Sequence, residues 1–388
     1  MIYLDNASTT QVSEKYKQII DEYLYSSYGN AGSKHPLGGK SKQAIDNARK
    51  LISTFFQTIP DNIIFTASGS EANTLAIIGV ADFLKSCGKN HIITSKYEHH
   101  SVLNAMKKME SLGFDVDYID VPDGIVNIEM FEKAIRPTTG LVSIMYVNNE
   151  LGTVNDVVAL SRLCKDKKIL FHTDCVQAVG TFKLFIDELG VDMISVSGHK
   201  IHAPKGIGCL CVKNREILSN IIYGGEQEFG LRPGTENVSY ISAFGMAMFE
   251  AGISREDVVE KINILSKSFL GELLKLCKND FNNIGLHVNA ERSEKTCKVL
   301  SIRFDNIDSE TLLLLLGNKG VYVSAGSACS SHSSISSHVL KAIGLNDEQA
   351  KSTIRISFSK YNTVEEVKAA AEIFIDCVML LRKMNKSK

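Results

Sequence analysis

Short apolar segments alternate with helix-like segments between about residues 60 and 215 of this chain. The strand-like segments are NIIFTAS, HIITSKYEH, TGLVSIMYVNNE, KKILFHTDCV and VDMISVSGHK, and stretches such as SEANTLAIIGVADFLK separate them. Several of these strands are nearly all apolar. Strands without polar alternation are typical of a sheet that helices cover on both faces. The pattern therefore predicts an α/β domain with a mostly parallel sheet.

The pattern changes after about residue 250. A long helical segment, EDVVEKINILSKSFLGELLKLC, precedes the strand-like segments KVLSIRF and GVYVSAG and a final helix. Thr363 is a predicted N-cap of that helix, with Glu366 three residues on. Its predicted apolar stripe consists of Val367, Ala371, Phe374 and Val378. The sequence therefore predicts a large domain over residues 15–250 and a smaller α+β domain over residues 1–14 and 251–388.

Composition excludes several classes of protein. The chain has 388 residues, enough for two domains, of which 44% are hydrophobic and 22% are charged. With 43 basic and 44 acidic residues the net charge is -1, so no overall basic field favours direct nucleic-acid binding. Neither an 18-residue apolar run nor a signal-peptide pattern is visible. We expect a cytoplasmic protein without membrane association.

Cysteine usage points to one unusual thiol. The nine cysteines are odd in number and irregularly spaced, which disfavours a disulfide framework. Cys329, in VYVSAGSACSSHSSISSHVL, lies in a run of Ser, Gly and Ala. Because cysteine is usually buried, this position on a polar loop suggests a chemical role. A metal site formed by Cys329, His332 and His338 is one alternative, although the spacing matches no standard ligand pattern.

Two turns after predicted strands carry residues suited to a charged ligand. In FTASGSEANTLAI a helix begins near Ser70, and the free N–H groups of Gly69 and Ser70 could bind a phosphate. In FHTDCVQAVG, Asp174 closes an apolar strand and Gln177 follows, so the carboxylate could pair with a ring-nitrogen cation. An ordinary strand–helix turn and a helix N-cap are the alternative interpretations.

A lysine and two histidines follow other strands. Lys200 ends a run of Ser, Gly and His in VDMISVSGHK, a setting that suits a Schiff-base lysine, whereas a surface lysine is the alternative. His99 and His100 follow the strand in SKYEHHSVL, where a histidine could stack on a flat cofactor and move protons. Adjacent histidines also occur at such turns without a function.

These residues together indicate a cofactor. They bring a phosphate-binding turn, an acid, a lysine and a histidine to the C-terminal ends of strands of one sheet. That combination suits pyridoxal 5′-phosphate (PLP). Asp174 would keep the pyridine nitrogen protonated, and Lys200 would form the Schiff base.

The chain resembles the cysteine desulfurases, in the NifS/IscS branch of the class V aminotransferase-like PLP enzymes. Eight ordered motifs carry the resemblance over nearly the whole length: YLDNASTT, GSEANTLAI, EHHSVL, VNNELG, DCVQAVG, SGHKIHAPKGIG, GLRPGTEN and GSACSS. The resemblance implies PLP fold type I, as in aspartate aminotransferase, with PLP as the cofactor. It also implies that L-cysteine is converted to L-alanine and that the sulfur passes as a persulfide to Cys329.

The resemblance assigns roles to particular residues. Lys200 matches the PLP lysine, His99 the histidine that stacks on the ring, and His100 no functional residue. Asp174 and Gln177 match the residues that meet the pyridine nitrogen and the ring oxygen. The matches to phosphate contacts are Gly69, Ser70, Ser197, His199 and, from the other subunit, Thr235. Asn149 matches a residue near cofactor or substrate, and Arg355 the arginine that pairs with the substrate carboxylate.

Partners follow from the same resemblance. The contact matched by Thr235 crosses subunits and implies a homodimer. The sulfur acceptor would be a scaffold protein of iron–sulfur cluster assembly or a tRNA-thiolation enzyme.

Glu226 and Phe229 stand where Gly and Arg are usual, and SHSSISSHVL lacks the usual Leu-Glu-Pro. The alternatives are another PLP enzyme, such as an aminotransferase or selenocysteine lyase, and a non-catalytic scaffold.

Overall fold

The computed structural model describes residues 1–276, 285–326 and 336–386 of the chain. Within these ranges the strands, β1 to β12 in order, are Ile2–Tyr3, Ile63–Thr66, His91–Ser95, Asp115–Ile119, Thr139–Ser143, Leu170–Asp174, Met193–Ser197, Gly208–Val212, Leu286–Val288, Val299–Phe304, Val321–Tyr322 and Thr353–Ser357. The α-helices in the same ranges, α1 to α14 in order, are Lys17–Asp21, Pro36–Phe56, Gly69–Ile78, Ala81–Ser86, His100–Ser111, Ile128–Ala134, Val157–Lys165, Ile186–Leu189, Val238–Ile253, Arg255–Leu276, Ser309–Asn318, His338–Ala342, Asp347–Lys351 and Val364–Lys386.

A seven-stranded sheet organises the first two thirds of the chain. Its strand order is β2-β8-β7-β6-β5-β3-β4. Within this sheet β8 pairs antiparallel with both of its neighbours, while the pairs formed by β3 to β7 are parallel. The predicted α/β fold with a mostly parallel sheet is therefore confirmed. Because the parallel strands share one direction, the loops after β3, β5, β6 and β7 emerge at one edge of the sheet.

Helices cover both faces of this sheet, which explains its apolar strands. Successive residues of a strand enter opposite hydrophobic clusters: Ile92 and Leu141 lie in one cluster, and Ile93 and Val142 lie in the other. The first cluster includes side chains of α3 and α5, and the second includes side chains of α2, α7 and α9. Neither face of the sheet is left to water, so neither face needs polar residues.

The C-terminal third forms its own hydrophobic cluster around a small sheet. Strands β12, β10 and β9 pair antiparallel in that order, and β1 pairs parallel with β11. The cluster also contains Leu4 from the N-terminal segment. Thr363 and Glu366 form the predicted capping box, with hydrogen bonds of 3.1 Å in both directions. The predicted stripe of α14 is buried: Val367, Ala371, Phe374 and Val378.

The division into domains at residues 14 and 250 stays a prediction. Leu4 packs with the C-terminal cluster, as that division requires. However, Val339 and Leu340 of α12 and Ala350 of α13 pack with the cluster of the large sheet. Among the described residues no helix is both long and apolar enough to cross a membrane.

Candidate active site

A cavity of about 190 Å³, here called the central cavity, lies where the parallel strands end. The predicted site residues that line it are Gly69, Ser70, His99, Asn149, Asp174, Gln177, Ser197, His199, Lys200 and Arg355. Apart from Arg355, which lies on β12, they lie at or after the C-terminal ends of five strands of the large sheet. Thr235 is exposed and is not part of the lining. Cys329 lies outside the described residues.

The N-terminus of α3 forms one end of the cavity. Ser68 caps the helix by accepting a hydrogen bond of 3.1 Å from the N–H of Glu71. A Cβ at Gly69 would lie 2.8 Å from Cγ2 of Val176 and 3.2 Å from Cβ of Ser197. Only glycine therefore lets the start of α3 approach the end of β7 this closely. The helix N-terminus and the nearby Ser197 hydroxyl make this end of the cavity suitable for a phosphate.

The carboxylate of Asp174 is held from two sides. Its Oδ1 accepts a hydrogen bond of 2.9 Å from the N–H of Val176, and its Oδ2 accepts one of 2.7 Å from Nδ2 of Asn73. Asn73 is only 1% exposed and lies in the middle of α3. These two donors fix the direction of the carboxylate towards the cavity.

Asn73 also connects Asp174 to His99. Its Nδ2 donates to Oγ of Ser101 at 2.9 Å, and this Oγ lies 2.8 Å from Nδ1 of His99. Nδ1 accepts a further hydrogen bond of 3.2 Å from the N–H of Ser101, so the neutral ring carries its proton on Nε2. Burial lowers the pKa of His99, and Lys200 lowers it further, while Asp174 acts in the opposite direction. The ring is therefore neutral at physiological pH.

The N-terminal segment orients the lysine. Lys200 Nζ donates to the carbonyl oxygens of Ala7 and Ser8, both at 2.6 Å. Gln177 donates from Nε2 to the same Ala7 oxygen at 3.0 Å. Oε1 of Gln177 is buried and has no hydrogen-bond partner in the described part of the chain. The amide thus keeps unused hydrogen-bonding capacity at the cavity wall.

Arg355 lines the cavity as a cation from the small sheet. Its side chain is 2% exposed. Nη2 donates to Oδ1 of Asp5 at 2.8 Å and to Oγ of Ser8 at 2.5 Å, and Nη1 donates to the carbonyl oxygen of Asn149 at 3.0 Å. Nε is buried without a partner among the described residues. These contacts fix the guanidinium and leave N–H groups for a ligand carboxylate.

The second histidine of the EHHS motif lies outside the cavity lining. The His100 ring lies 4.5 Å from the ring of His338, whose Nε2 donates to the carbonyl oxygen of Glu98 at 2.9 Å. Of the metal ligands considered from the sequence, Cys329 and His332 lie outside the described residues. The described residues contain no group of three metal-ligating side chains.

The loop in which Glu226 and Phe229 depart from the usual pattern is ordered by arginines. The Phe229 ring is 42% exposed and lies 4.0 Å from the guanidinium of Arg215 and 5.1 Å from that of Arg49. The neighbouring Glu228 pairs with Arg49 at 2.6 Å in a buried position. The phenyl ring thus makes cation–π contacts with two arginines. No side-chain contact within the described ranges explains Glu226.

Sequence reasoning missed four residues of the site. Asn73 and Ser101 connect Asp174 with His99, while Asp5 and Ser8 hold Arg355. All four lie inside motifs that were quoted for the resemblance, GSEANTLAI, EHHSVL and YLDNASTT. Membership of a motif was the available signal, because the contacts of Asn73, Asp5 and Ser8 join segments that are distant in sequence.

The side chains of the central cavity fit PLP. A helix N-terminus with a required glycine suits the phosphate, and the carboxylate of Asp174 suits the pyridine nitrogen. Nε2 of Gln177 uses one proton towards the Ala7 oxygen and has a second proton for the ring oxygen. Lys200 would hold the aldehyde carbon, and the neutral ring of His99 lines the same cavity.

Comparisons with known proteins agree with this geometry. The aminotransferase class V family matches residues 2–370 of the chain. The cysteine desulfurase IscS of Dictyoglomus turgidum is 38% identical over 388 residues, which cover 100% of this chain and 97% of that protein. The putative cysteine desulfurase IscS 1 of Bacillus subtilis is 39% identical over 382 residues, covering 98% and 99% of the two chains.

Solved structures show the same fold. A NifS-like protein superposes with a TM-score of 0.89 at 33% identity, covering 98% of this chain and 99% of that one. SspA in complex with cysteine superposes with a TM-score of 0.80 at 33% identity, covering 94% and 100%. This chain therefore belongs to the cysteine desulfurases of the class V aminotransferase family, a family whose members depend on PLP.

Proposed function

We propose that this cysteine desulfurase converts L-cysteine to L-alanine in the central cavity and transfers the sulfur to Cys329. In the overall step the C–S bond of the substrate breaks, an S–S bond forms on the Cys329 sulfur, and the protein thiol becomes a persulfide. The observation that carries the proposal is that Lys200, Asp174 and Arg355 line one cavity. Lys200, His99 and Cys329 are the proposed catalytic residues.

The proposed PLP contacts divide the cavity into two ends. Gly69, Ser70, Ser197 and His199 would bind the phosphate. Burial lowers the pKa of His199 to about 4, so its ring would act as a neutral hydrogen-bond donor. Asp174 would hold the pyridine nitrogen protonated at the other end, and Gln177 would meet the ring oxygen. When bound, PLP supplies the electron sink that makes the substrate Cα–H bond acidic.

Lys200 and His99 are the proposed proton-transfer groups. Lys200 would take the proton from the substrate Cα on Nζ, because the Ala7 and Ser8 carbonyls fix this nitrogen in the cavity. His99 carries its proton on Nε2. This N–H is the proposed proton donor at the reaction centre. Both groups line the cavity, so neither needs a long-range movement.

Arg355 and Asn149 are the proposed substrate contacts. The guanidinium of Arg355 would pair with the α-carboxylate of L-cysteine, displacing part of its present contact with Asp5. Asn149, whose carbonyl oxygen accepts from Arg355, would face the amino-acid backbone of the substrate. Arg355 and Asn149 together would recognise the amino and carboxylate groups of the substrate, and the acceptor Cys329 would recognise its thiol.

A homodimer is the proposed assembly. Thr235 is exposed, which suits a phosphate contact delivered to the cavity of a second copy. The outer face of α9 carries an exposed apolar stripe formed by Met246, Phe249 and Ile253, spaced three and four residues apart. Tyr25, which is 74% exposed, belongs to a turn of helix that packs beside α9. Apolar groups of this kind favour association with a second subunit.

The proposed sulfur acceptor is a scaffold of iron–sulfur cluster assembly or a tRNA-thiolation enzyme, and the proposed compartment is the cytoplasm. The free cysteines support a reducing compartment. All seven cysteines that the structure describes are unpaired thiols. A persulfide carried by a protein thiol also needs a compartment in which thiols stay reduced.

The test is product analysis with L-cysteine and a reductant. Wild-type protein loaded with PLP is expected to release L-alanine and sulfide in equal amounts, whereas Lys200→Ala loaded in the same way is expected to release neither. Release of a keto acid in place of alanine would identify an aminotransferase. Alanine release from L-selenocysteine but not from L-cysteine would identify a selenocysteine lyase. Either result would overturn the proposal.

A further inference from the structure

A second cavity, of about 50 Å³, lies between the segment that carries Lys200 and the small sheet. Residues of both hydrophobic clusters line it, among them Ile201 and Ala247 from the first and Ile262 and Phe358 from the second. Lys298 also lines it, and we call this space the Lys298 cavity. Its walls are mostly apolar, so any charge inside it is poorly solvated.

Lys298 brings such a charge into the cavity. The residue is only 6% exposed. Its backbone is fixed, because its carbonyl oxygen accepts from the N–H of Phe358 at 2.9 Å and its N–H donates to Oγ1 of Thr296 at 3.3 Å. Its ammonium group forms no hydrogen bond or ion pair with any residue of the described ranges. Burial lowers the pKa of Lys298 to about 8, and the amine still carries a proton at neutral pH.

A carboxylate that acts on His202 of this cavity, Glu250, is already neutralised. Glu250 pairs with Lys360 at 2.8 Å and with Lys15 at 3.0 Å. Lys360 lines the Lys298 cavity but, unlike Lys298, has this carboxylate as its partner. Lys298 itself thus has no counter-charge among the described residues.

The ring of His202 responds to this positive field. It lines the cavity, and its Nδ1 donates to the carbonyl oxygen of Gln11 at 2.9 Å. Its pKa is lowered to about 4, chiefly by burial; Lys360 and Lys298 act in the same direction, while the hydrogen bond to Gln11 and the charge of Glu250 act in the opposite one. The ring is neutral, and the two ammonium groups beside it are positive. One anion could therefore enter the cavity without repulsion from a protein carboxylate.

One further donor lies in the wall. Oγ of Ser359 accepts a hydrogen bond of 3.2 Å from the N–H of Tyr361, which leaves the hydroxyl proton available. In contrast, the hydroxyl of Thr10 already donates to the carbonyl oxygen of His199 at 2.9 Å. The polar contacts open to a ligand are therefore the ammonium of Lys298 and the O–H of Ser359.

Size and solvation limit the ligand. A volume of about 50 Å³ holds a few water-sized groups. Doubly charged and strongly hydrated anions such as sulfate or phosphate would lose more hydration in these apolar walls than one ammonium group returns. A weakly hydrated monoanion of halide size matches the single charge, the volume and the walls.

We propose that the Lys298 cavity binds one halide ion, held by the ammonium group of Lys298 and the hydroxyl of Ser359. The bound ion joins the segment Lys200–His202, behind the central cavity, to the end of β12 that follows Arg355. It therefore stabilises the arrangement of the PLP lysine relative to the substrate-binding arginine. Lys200 lines both cavities, but the proposed contacts of the ion, Lys298 and Ser359, have no part in the proposed catalysis.

Bromide, which scatters anomalously, is the probe. Crystals of the full-length PLP-loaded protein grown without chloride and soaked in sodium bromide are expected to show an anomalous peak beside Nζ of Lys298. In solution, the Tm of the same protein is expected to rise with the logarithm of bromide concentration at constant ionic strength set with sodium sulfate. Lys298→Met is expected to lose both the peak and the rise in Tm.

Lys295→Met is the matched control. Lys295 is close in sequence and its pKa is also lowered to about 8 by burial, but its ammonium donates to the carbonyl oxygen of Asn289. This variant is expected to keep the wild-type bromide response. The proposal is overturned if wild-type crystals show no peak at Lys298, a result that needs no variant to fold. A peak without a Lys298-dependent change in Tm would mean binding at crystal concentration only, and would overturn it as well.

Discussion

Asn73 donates from one nitrogen to both Oδ2 of Asp174, at 2.7 Å, and Oγ of Ser101, at 2.9 Å. The amide therefore uses both of its protons to connect two segments of the active site. Through Ser101 the contact extends to Nδ1 of His99, at 2.8 Å. The proposed partner of the pyridine nitrogen and the proposed proton donor thus share one buried positioning residue.

Replacement of Asn73 by alanine is expected to lower kcat/KM for L-cysteine by about 10- to 100-fold. A hydrogen bond to a charged group contributes about 1.5–3 kcal/mol, and that of Asp174 would be lost. The absorbance spectrum of bound PLP should also change, because the Asp174 carboxylate proposed to meet the pyridine nitrogen loses a donor. Thr74→Ala is the control, since the Thr74 hydroxyl bonds only to the helix carbonyl of Ser70 among the described residues. Unchanged kinetics and absorbance in Asn73→Ala would contradict this role.

Two glycine-to-alanine changes are expected to have opposite effects. Gly69→Ala should weaken PLP binding, whereas Gly271→Ala should raise the free energy of unfolding. At Gly69 the new methyl group would lie 2.8 Å from Cγ2 of Val176, so the start of α3 must shift. Overpacking of this kind costs about 1–3 kcal/mol, and we expect PLP affinity to fall about tenfold or more. At Gly271, inside α10, no heavy atom lies within 4 Å, so alanine should stabilise the protein by about 0.5–1 kcal/mol. Equilibrium dialysis and urea unfolding measure these effects; equal PLP affinity in Gly69→Ala and wild type would refute the first.

Loss of the Arg355 side chain is expected to raise the KM for L-cysteine by about 10- to 100-fold, the range of a lost charge-assisted hydrogen bond. Arg355→Lys should recover part of this loss, because it keeps the charge without the planar fork. The control is Arg303→Ala, on the neighbouring strand β10, where the side chain bonds to Asp305 at 3.2 Å outside the cavity. A KM that is unchanged in Arg355→Ala would remove the assigned role.

Acid is expected to destabilise the fold through His172. This residue is fully buried between the hydroxyl groups of Ser143 and Ser195, at 2.8 and 2.9 Å, and burial lowers its pKa to about 3. The unfolded chain takes up a proton on this ring near pH 6.5, whereas the folded chain does not. Its contribution to stability is therefore complete above pH 6.5 and is lost as pH falls towards 3. The loss between pH 7 and pH 5 amounts to about 2 kcal/mol.

Urea unfolding of wild type and His172→Gln at the two pH values measures this contribution. Glutamine keeps hydrogen-bonding groups for the two serines but does not titrate. The difference in unfolding free energy between pH 7 and pH 5 should therefore shrink by about 2 kcal/mol in the variant. An equal pH dependence in both proteins would show that the ring is not held neutral.

Much of the site could be predicted from sequence because it follows the strand ends. Asp174, Lys200 and His99 each follow an apolar segment, and parallel strands bring such positions to one edge. The same rule could not find Asn73, which lies in mid-helix and gains its role only when α3 packs beside β6 and α5. Nor could it find the contact between Asp5 and Arg355, which joins the two ends of the chain.

The fold, like the site, could be predicted from the sequence only in part. Apolar runs predicted the covered sheet, but they could not reveal that β8 runs antiparallel, since a strand buried on both faces has the same composition in either direction. Likewise α12, close in sequence to β12 of the small sheet, packs with the cluster of the large sheet. That choice depends on tertiary packing, which a local pattern does not record.

Mass spectrometry of the peptide that contains Cys329 tests the central claim most directly. PLP-loaded wild-type protein is mixed with L-cysteine without reductant, the remaining thiols are blocked, and the protein is digested. The account predicts one added sulfur atom on Cys329 in the wild type and none in Lys200→Ala. An unmodified Cys329 in wild-type protein that nevertheless forms alanine would contradict the account.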